Sequence, residues 1–234
     1  MLRRVIVAVL SFVVASAAVL MAQASDRLPA QAVKSGFFRT VFGLEYGAHA
    51  DAHRVKRFVG PVRFHVSDRS GFSRGAAAEA FVRALPKRIH FLRAGLVAQP
   101  AEANFRLIIV RRADFAGVVE RELKADALAM NARCLVGVVT DRGRIVQSVA
   151  VIIGDDDYLF ERCLVEETLQ GLGPMNDDPS LYASVFNDTS RHTTFTAFDA
   201  ALLNVLYHPA IAPGMSRIEA ARALPAALRD LGHR

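Results

Sequence analysis

The sequence predicts an α+β fold in which a small mixed sheet with an edge hairpin packs on a central helix and is followed by C-terminal helices. Three observations support this prediction. Apolar strand patterns alternate with helical patterns in the first half, a hairpin pattern follows, and the last part carries two capping boxes, Thr196-Ala-Phe-Asp199 and Ser216-Arg-Ile-Glu219. No internal repeat or low-complexity linker is visible. We therefore predict a single domain over residues 34–234, preceded by a flexible lead over residues 25–33.

Two short apolar segments are predicted to be strands. Residues 61–66 (PVRFHV) alternate apolar and polar side chains, and residues 105–110 (FRLIIV) are apolar apart from one arginine. Between them, residues 75–96 are rich in alanine and leucine at helical spacing, with Pro86 marking a kink or a break between two helices. A further helix is expected to follow Asp114 as its N-cap.

The strongest local signal is a β-hairpin followed by a helix. Residues 134–140 (CLVGVVT) and 144–153 (RIVQSVAVII) flank a short turn that contains glycine. The run Gly154-Asp155-Asp156-Asp157 then offers several N-cap candidates and negative charge at a helix start. It predicts a helix over residues 158–172.

The first 24 residues have the pattern of a secretory signal peptide. A basic start, Leu2-Arg3-Arg4, precedes an apolar run of 17 residues, and Ala22-Gln23-Ala24 gives a small-x-small cleavage site before Ser25. The run is shorter than the ~20 residues of a full membrane span, and an uncleaved N-terminal anchor is the alternative. We expect the mature protein in the periplasm or secreted, with membrane contact only through an uncleaved signal.

Charge and cysteine content narrow the class further. Removal of residues 1–24 lowers the formal net charge from +6 to +4, which argues against a nucleic-acid-binding surface. The only two cysteines, Cys134 and Cys163, lie in the exported part, and an isolated pair in an oxidising compartment predicts one disulfide. The bridge would close a loop of about 30 residues and contribute about 3–4 kcal/mol.

The stretch EETLQGLGPMN, residues 166–176, has the spacing of a zinc-binding helix without its histidines. On the pattern H-E-x-x-H-x-x-G-x-x-H, Glu166 and Gln170 hold the two helical ligand positions and Asn176 holds the third. Glu167 holds the position of the general base, and Gly173 that of the turn glycine.

These residue types do not suit zinc, which prefers imidazole and thiolate ligands. Carboxylate and amide oxygens suit a hard ion such as calcium better, and Asp177 and Asp178 could supplement them. A plain amphipathic helix that ends at glycine explains the same residues. We predict no metal and no cofactor.

Downstream motifs resemble those of the metzincin metallopeptidases, in which a tight turn of the form S-I-M-x-Y follows the zinc helix. Phe186 of Ser184-Val-Phe-Asn-Asp188 would hold the methionine position of that turn. A Thr-x-x-Asp start at Thr196 and a Leu-Tyr pair at Tyr207 resemble the last helix of the matrixin branch. The resemblance covers roughly residues 60–210 and implies a zincin-like fold from which the metal ligands have been lost.

A closer resemblance covers the whole exported chain. It depends on the motifs FFRTVFGLEYG, PVRFHV, CLVEETLQGLGPMND, SVFND, LLNVLYHP and APGM. On these motifs the chain is identified as a member of a bacterial exported family catalogued only as domain of unknown function 2927. Membership implies an envelope location and supplies no reaction.

Three hypotheses remain open. In the first, which we favour, the chain is a degenerate, non-catalytic zincin-like domain, a pseudoenzyme, whose cleft binds an envelope protein, a peptide or a glycan. The cleft would be lined by Glu166, Gln170, Asn176, Asp177 and Phe186. In the second, a peptidase-like hydrolase uses Glu167 as general base on a water molecule with a non-standard metal site. In the third, the metallopeptidase spacing is a coincidence in an unrelated structural domain.

Overall fold

The structure is a computed structural model that describes residues 28–44, 50–125 and 132–233. The predicted signal peptide, residues 1–24, and the first residues of the predicted lead lie outside the described residues. Among the helices that are described, none is both long and apolar enough to cross a membrane.

Within the described ranges the chain forms six α-helices, five strands and one 3₁₀ turn. The elements in chain order are α1 (Ala30–Thr40), β1 (Val62–Asp68), α2 (Gly75–Arg88), β2 (Ala94–Leu96), a 3₁₀ turn (Pro100–Glu102), β3 (Phe105–Val110), α3 (Arg112–Leu123), β4 (Cys134–Asp141), β5 (Arg144–Ile153), α4 (Asp157–Gln170), α5 (Ala197–Tyr207) and α6 (Arg217–Asp230).

The five strands form one mixed sheet in the order β2-β1-β3-β5-β4. Strand β1 pairs in parallel with β2 and β3, and β3 pairs in parallel with β5. Strand β4, at the edge, is antiparallel to β5. Strand β3 and the second half of β5 are buried almost throughout, because both lie inside the sheet and helices cover them. The predicted α+β class, with a mixed sheet and an edge hairpin, is confirmed.

Helices α3 and α4 cover opposite faces of the sheet at β4. Cys134 of β4 forms the predicted disulfide with Cys163 of α4, at a Cα–Cα distance of 5.8 Å. Gly137 of the same strand faces α3, because a Cβ there would lie 2.7 Å from the Leu123 side chain. Strand residues an odd number apart point to opposite faces, so the disulfide fixes α4 to one face while α3 packs on the other.

The predicted hairpin and capping boxes are confirmed. Arg142 and Gly143 join β4 to β5 in a two-residue turn, and both have positive φ, as this turn type requires. Thr196 and Ser216 each accept a hydrogen bond from the backbone N–H three residues later, and they begin α5 and α6. These signals are local, which is why the sequence alone could predict them.

The prediction of helix up to residue 96 is wrong. Helix α2 continues through Pro86, which lies in its last turn, and ends at Arg88. Asn204 of α5 donates to the Arg88 carbonyl at 2.7 Å and accepts from the backbone N–H of His90 at 2.8 Å. A side chain distant in sequence therefore satisfies the end of the helix, and the chain continues into the short strand β2.

Two other predicted boundaries differ. Residues 30–33 belong to α1 rather than to a flexible lead, and Val33 is fully buried, because α1 packs on α5 and α6. Helix α3 begins after Arg111 and not at Asp114. The backbone N–H of Arg112 donates to the Asp155 carboxylate at 3.0 Å. The group that caps the start of α3 therefore comes from the segment that precedes α4.

Residues 50–61 form a strap that connects α1 to the sheet and carries one buried cation, Lys56, and one half-buried cation, Arg57. The Lys56 ammonium donates to the carbonyl of Val41, at the end of α1, at 2.8 Å, and contacts three carbonyls of the strap itself at 3.2–3.5 Å. The Arg57 guanidinium donates to the carbonyls of Leu206 and His208, at the end of α5. Both cations thus lie where helix dipoles are negative.

The strap also positions the end of α4. Gly173, with φ +141°, lies so close to the strap that a Cβ there would be 2.2 Å from the Lys56 carbonyl oxygen. The Tyr207 hydroxyl donates to the Leu172 carbonyl at 2.9 Å from the other side. The glycine predicted as a helix stop is therefore required by a tertiary contact as well as by its backbone conformation.

We expect Gly143→Ala to destabilise the protein by more than about 3 kcal/mol, because the new Cβ would lie 2.2 Å from the Gly214 nitrogen and 2.5 Å from the Val55 carbonyl oxygen, in a left-handed backbone conformation. Gly60→Ala is the control, since its Cβ would meet nothing within 4 Å, and it should change the free energy of unfolding by less than about 0.5 kcal/mol. Urea denaturation of both variants checks this, and equal stability would contradict the close packing of turn, strap and residues 212–216.

Burial lowers the pKa of Lys56 to about 8 from 10.5, against the opposing effect of Asp51. Between these pH values the unfolded chain binds more protons than the folded chain, so the Lys56 contribution to the free energy of unfolding rises with pH. We expect the wild type to gain on the order of 2 kcal/mol over Lys56→Met between pH 8 and 10.5. Urea denaturation across this range measures the difference, and parallel pH curves would refute it.

Candidate binding cleft

Helix α4 carries the residues singled out by the sequence. Asp156 is its N-cap, and its carboxylate accepts from the backbone N–H of Leu159 at 2.9 Å, as the acidic run predicts. From Leu159 to Gln170 every residue except Glu161 is buried, so polar side chains on this helix must find partners inside the protein. Three of them, Arg162, Glu166 and Gln170, are spaced four residues apart and therefore share one face.

Arg162 is the centre of the polar contacts on this face. Its guanidinium donates to Glu166 Oε1 at 2.7 Å and to the carbonyls of Asn187, Ser190 and His192 at 3.2–3.4 Å. Its side chain is only 9% exposed, so the charge is held inside the protein by one carboxylate and by backbone carbonyls. These contacts attach the loop after α4 to the helix at three points between residues 187 and 192.

Asp177, and not Asn176, completes the group that the sequence predicts around Glu166 and Gln170. Gln170 Nε2 donates to Asp177 Oδ1 at 2.9 Å. The Asn176 side chain instead donates to the carbonyls of Arg39, at 2.8 Å, and of Asp177, at 3.0 Å. Its backbone N–H also bonds α1, at the Thr40 carbonyl, so α1 rotates Asn176 away from the position that the zinc-helix spacing assigns to it.

The carboxylates of Glu166, Asp177 and Asp188 each offer an oxygen within 4.8 Å of the other two. This donor set does not fit zinc, because it contains neither imidazole nor thiolate. Oxygen ligands would suit a hard cation, but the Arg162 guanidinium lies 2.7 Å from Glu166 and 3.8 Å from Asp188 and already supplies positive charge there. The three carboxylates therefore fit the Arg162 guanidinium better than a metal ion.

Phe186 does not line the cleft. It is fully buried and belongs to the hydrophobic core. Its backbone is held in the Ser184–Asp188 turn, where Ser184 Oγ donates to the buried Asp199 carboxylate at 2.6 Å. Burial raises the pKa of Asp199, while hydrogen bonds from Ser184 and Thr196 oppose the shift. The turn is therefore fixed to the start of α5 through the capping residue Asp199.

The open part of the site is a cleft of about 310 Å³ between the start of β4 and α4. Of the predicted residues, Glu166 and Glu167 line it, whereas Gln170 and Asp177 do not. Glu167 and Glu166 each place a carboxylate oxygen within 4.8 Å of the Cys134 sulfur and of each other, so the disulfide forms part of the wall. The remaining charged lining residues are Arg133, Arg162 and Asp188.

Sequence reasoning missed Arg162 and Arg133 and did not assign a role to Asp188. A signal for Arg162 was present, because it precedes Glu166 by four residues within an otherwise apolar stretch, a spacing typical of ion pairs on helices. No sequence signal places Arg133 or Asp188 beside α4. Both are brought there by the disulfide and by the loop contacts of Arg162.

We expect Arg162→Met to cost about 3–5 kcal/mol of stability, because it leaves Glu166 buried without its cation. Arg83→Met is the control: Arg83 and Glu79 form a pair of the same helical spacing, but their side chains are 62% and 41% exposed, so its loss should cost less than about 1 kcal/mol. Urea denaturation compares the two, and the double variant Arg162→Met/Glu166→Gln should recover part of the loss. Equal costs for the two single variants would show that the Arg162 pair does not hold the cleft together.

Comparison with known proteins gives a family and no activity. A family model described as "Protein of unknown function (DUF2927)" matches residues 30–226, which include every described element except the end of α6. No curated protein and no solved structure matches the chain. The chain therefore belongs to this family of proteins of unknown function.

Proposed function

We propose that the protein is an exported bacterial binding domain, periplasmic or secreted, of degenerate zincin-like origin, and that its cleft beside α4 binds a peptide without cleaving it. Export is supported by the signal-peptide pattern of residues 1–24 and by a disulfide that fits an oxidising compartment.

The zincin-like origin is supported by the order of the elements around α4. A mixed sheet with an antiparallel edge strand precedes the helix, a tight turn at Ser184–Asp188 follows it, and a capping box at Thr196 opens the next helix. The turn and the helix start at Thr196 are among the features on which the resemblance to the metzincins depends. The family model itself names no fold.

One observation carries the non-catalytic proposal: Arg162 occupies the face of α4 that would have to present metal ligands. Its guanidinium bonds Glu166 and is anchored by three loop carbonyls. Glu166 is therefore held in an ion pair, and Gln170 is held by Asp177. Polarising a peptide carbonyl requires a strong electrophile that is free to contact substrate, and this guanidinium is 9% exposed and committed to protein oxygens.

A peptide is the ligand that the cleft fits best. Among its charged lining residues, Arg133 and Asp188 are exposed and can hydrogen-bond the polar groups of a peptide, and the Asp188 carboxylate can select basic side chains. The cleft begins at Cys134, where the edge strand β4 starts, and β4 pairs only with β5 among the described strands. An extended peptide that adds to this edge would enter the cleft at one end.

Metal and peptidase measurements test the non-catalytic proposal. The purified mature protein, with Ser25 confirmed as its N-terminus by intact mass, should hold no stoichiometric metal after exposure to zinc and calcium, and should leave a mixed peptide substrate intact. Stoichiometric metal that is lost in Glu166→Ala, or cleavage that is abolished by Glu167→Gln, would instead establish the hydrolase alternative.

Peptide selection tests the binding proposal. A displayed library of random peptides panned on the wild type should yield sequences with basic residues. Asp188→Lys should weaken binding of the selected peptides at least tenfold, because Asp188 lines the cleft and its side chain is 69% exposed. Asp114→Lys, an exposed change on α3 at the opposite face of the sheet, should leave binding unchanged. Failure to select any peptide, or equal effects of the two variants on binding, would contradict the proposal.

A further inference from the structure

A second concave surface lies between α2 and α4, on a different face of α4 from the cleft. This groove has a volume of about 530 Å³, which is within the usual range of small-molecule sites. Phe160 and Leu164 of α4 line the groove, whereas Arg162 and Glu166 line the cleft. The two surfaces therefore share a helix but no residue.

Most of the groove is apolar. Phe81 and Leu85 of α2 face Leu164 of α4, and Phe195 closes one end. Ala77 and Ala84 lie on the same face of α2, seven residues apart, and both are exposed. Their small side chains leave the groove open along the helix, because larger residues at these positions would extend into it.

The two ends of the groove differ in charge. At one end, Arg74 lies over the Phe160 ring at 4.8 Å and pairs with Asp157, with Glu161 beside it in the lining. At the other end, Arg88 lies over the Phe195 ring at 4.1 Å. No carboxylate of the described residues forms an ion pair with Arg88.

The Arg88 guanidinium is held in one orientation and has further N–H groups for hydrogen bonding. Two of its nitrogens donate to the carbonyls of Phe195, at 2.5 Å, and Thr196, at 3.1 Å. A guanidinium has five N–H groups, so about three remain for an anion. The fixed stacking on Phe195 and the two backbone bonds reduce the entropy that binding must overcome.

We propose that this groove binds a long-chain fatty acid, with its carboxylate at Arg88 and its alkyl chain along α2 toward Arg74. The fourteen residues that separate these arginines correspond to about 21 Å along the helix, a length that an extended alkyl chain can follow. We place the carboxylate of the fatty acid at Arg88, because Asp157 and Glu161 already supply negative charge at the Arg74 end.

The lining favours an alkyl chain over a peptide. On the α2 side, Ala77, Phe81, Ala84 and Leu85 offer no hydrogen-bonding group, and the hydroxyls of the lining come from Thr193 and Thr194, next to Phe195 in the chain. A peptide lying along α2 would bury backbone N–H and C=O groups against this apolar side without partners, which is costly, whereas an alkyl chain buries none.

Displacement of a fluorescent fatty acid by palmitate from the mature protein tests the proposal. Saturable binding at one site is expected, with methyl palmitate at least tenfold weaker because it lacks the carboxylate. Ala84→Phe should weaken palmitate binding at least tenfold by filling the groove. Ala76→Phe, an exposed change on α2 that points away from the groove, should have no effect. Thermal melting verifies that both variants are folded.

Arg88→Gln separates the head-group contact from the groove. It should weaken palmitate binding and leave methyl palmitate binding unchanged. If this variant does not fold, the comparison of the two alanine-to-phenylalanine variants still tests the proposal. The proposal is overturned by any of three results: no saturable palmitate binding, equal effects of Ala84→Phe and Ala76→Phe, or preference of the groove for an acidic amphipathic peptide over palmitate. None of these results bears on the cleft, because the two sites share no residue.

Discussion

The arrangement around α4 depends on one buried ion pair, between Arg162 and Glu166. A guanidinium inside a protein is tolerated only when carboxylates and carbonyl oxygens replace its water, and here the loop between α4 and α5 supplies those carbonyls. The pair therefore does two things at once: it neutralises Glu166, and it fixes a long polar loop to the central helix. The shape of the cleft follows, since Asp188 is carried on that loop and Glu166 on the helix.

Helix ends in this fold are satisfied from a distance. Lys56 and Arg57 of the strap bond the carbonyls that end α1 and α5, Tyr207 bonds the end of α4, and Asn204 bonds the end of α2. Each donor comes from a segment other than the helix whose end it satisfies, so the helices are connected through their termini as well as through apolar faces. Gly173, just after the end of α4, likewise lies against the Lys56 carbonyl of the strap.

The two faces of α4 have different chemistry. One face is polar and lies beside a disulfide, where carboxylates and guanidinium groups line the cleft for which we propose a peptide ligand. The other is apolar and faces α2 across a groove that ends at Arg88. The spacing that resembles a metallopeptidase helix concerns only the first face. The motif therefore gives no information about the face of α4 that lines the groove.

The sequence by itself determined the features whose partners lie within three or four residues of each other: the two-residue turn at Gly143, the caps at Asp156, Thr196 and Ser216, and the helical spacing of Glu166 and Gln170. The cysteine pair was also predictable, because no other cysteine competes. Tertiary structure alone decided the end of α2, the short strand β2, and the choice of Asp177 over Asn176 beside Gln170. The physical reason is that these depend on hydrogen bonds from α1, α5 and the loop after α4, groups that become neighbours only when the chain folds.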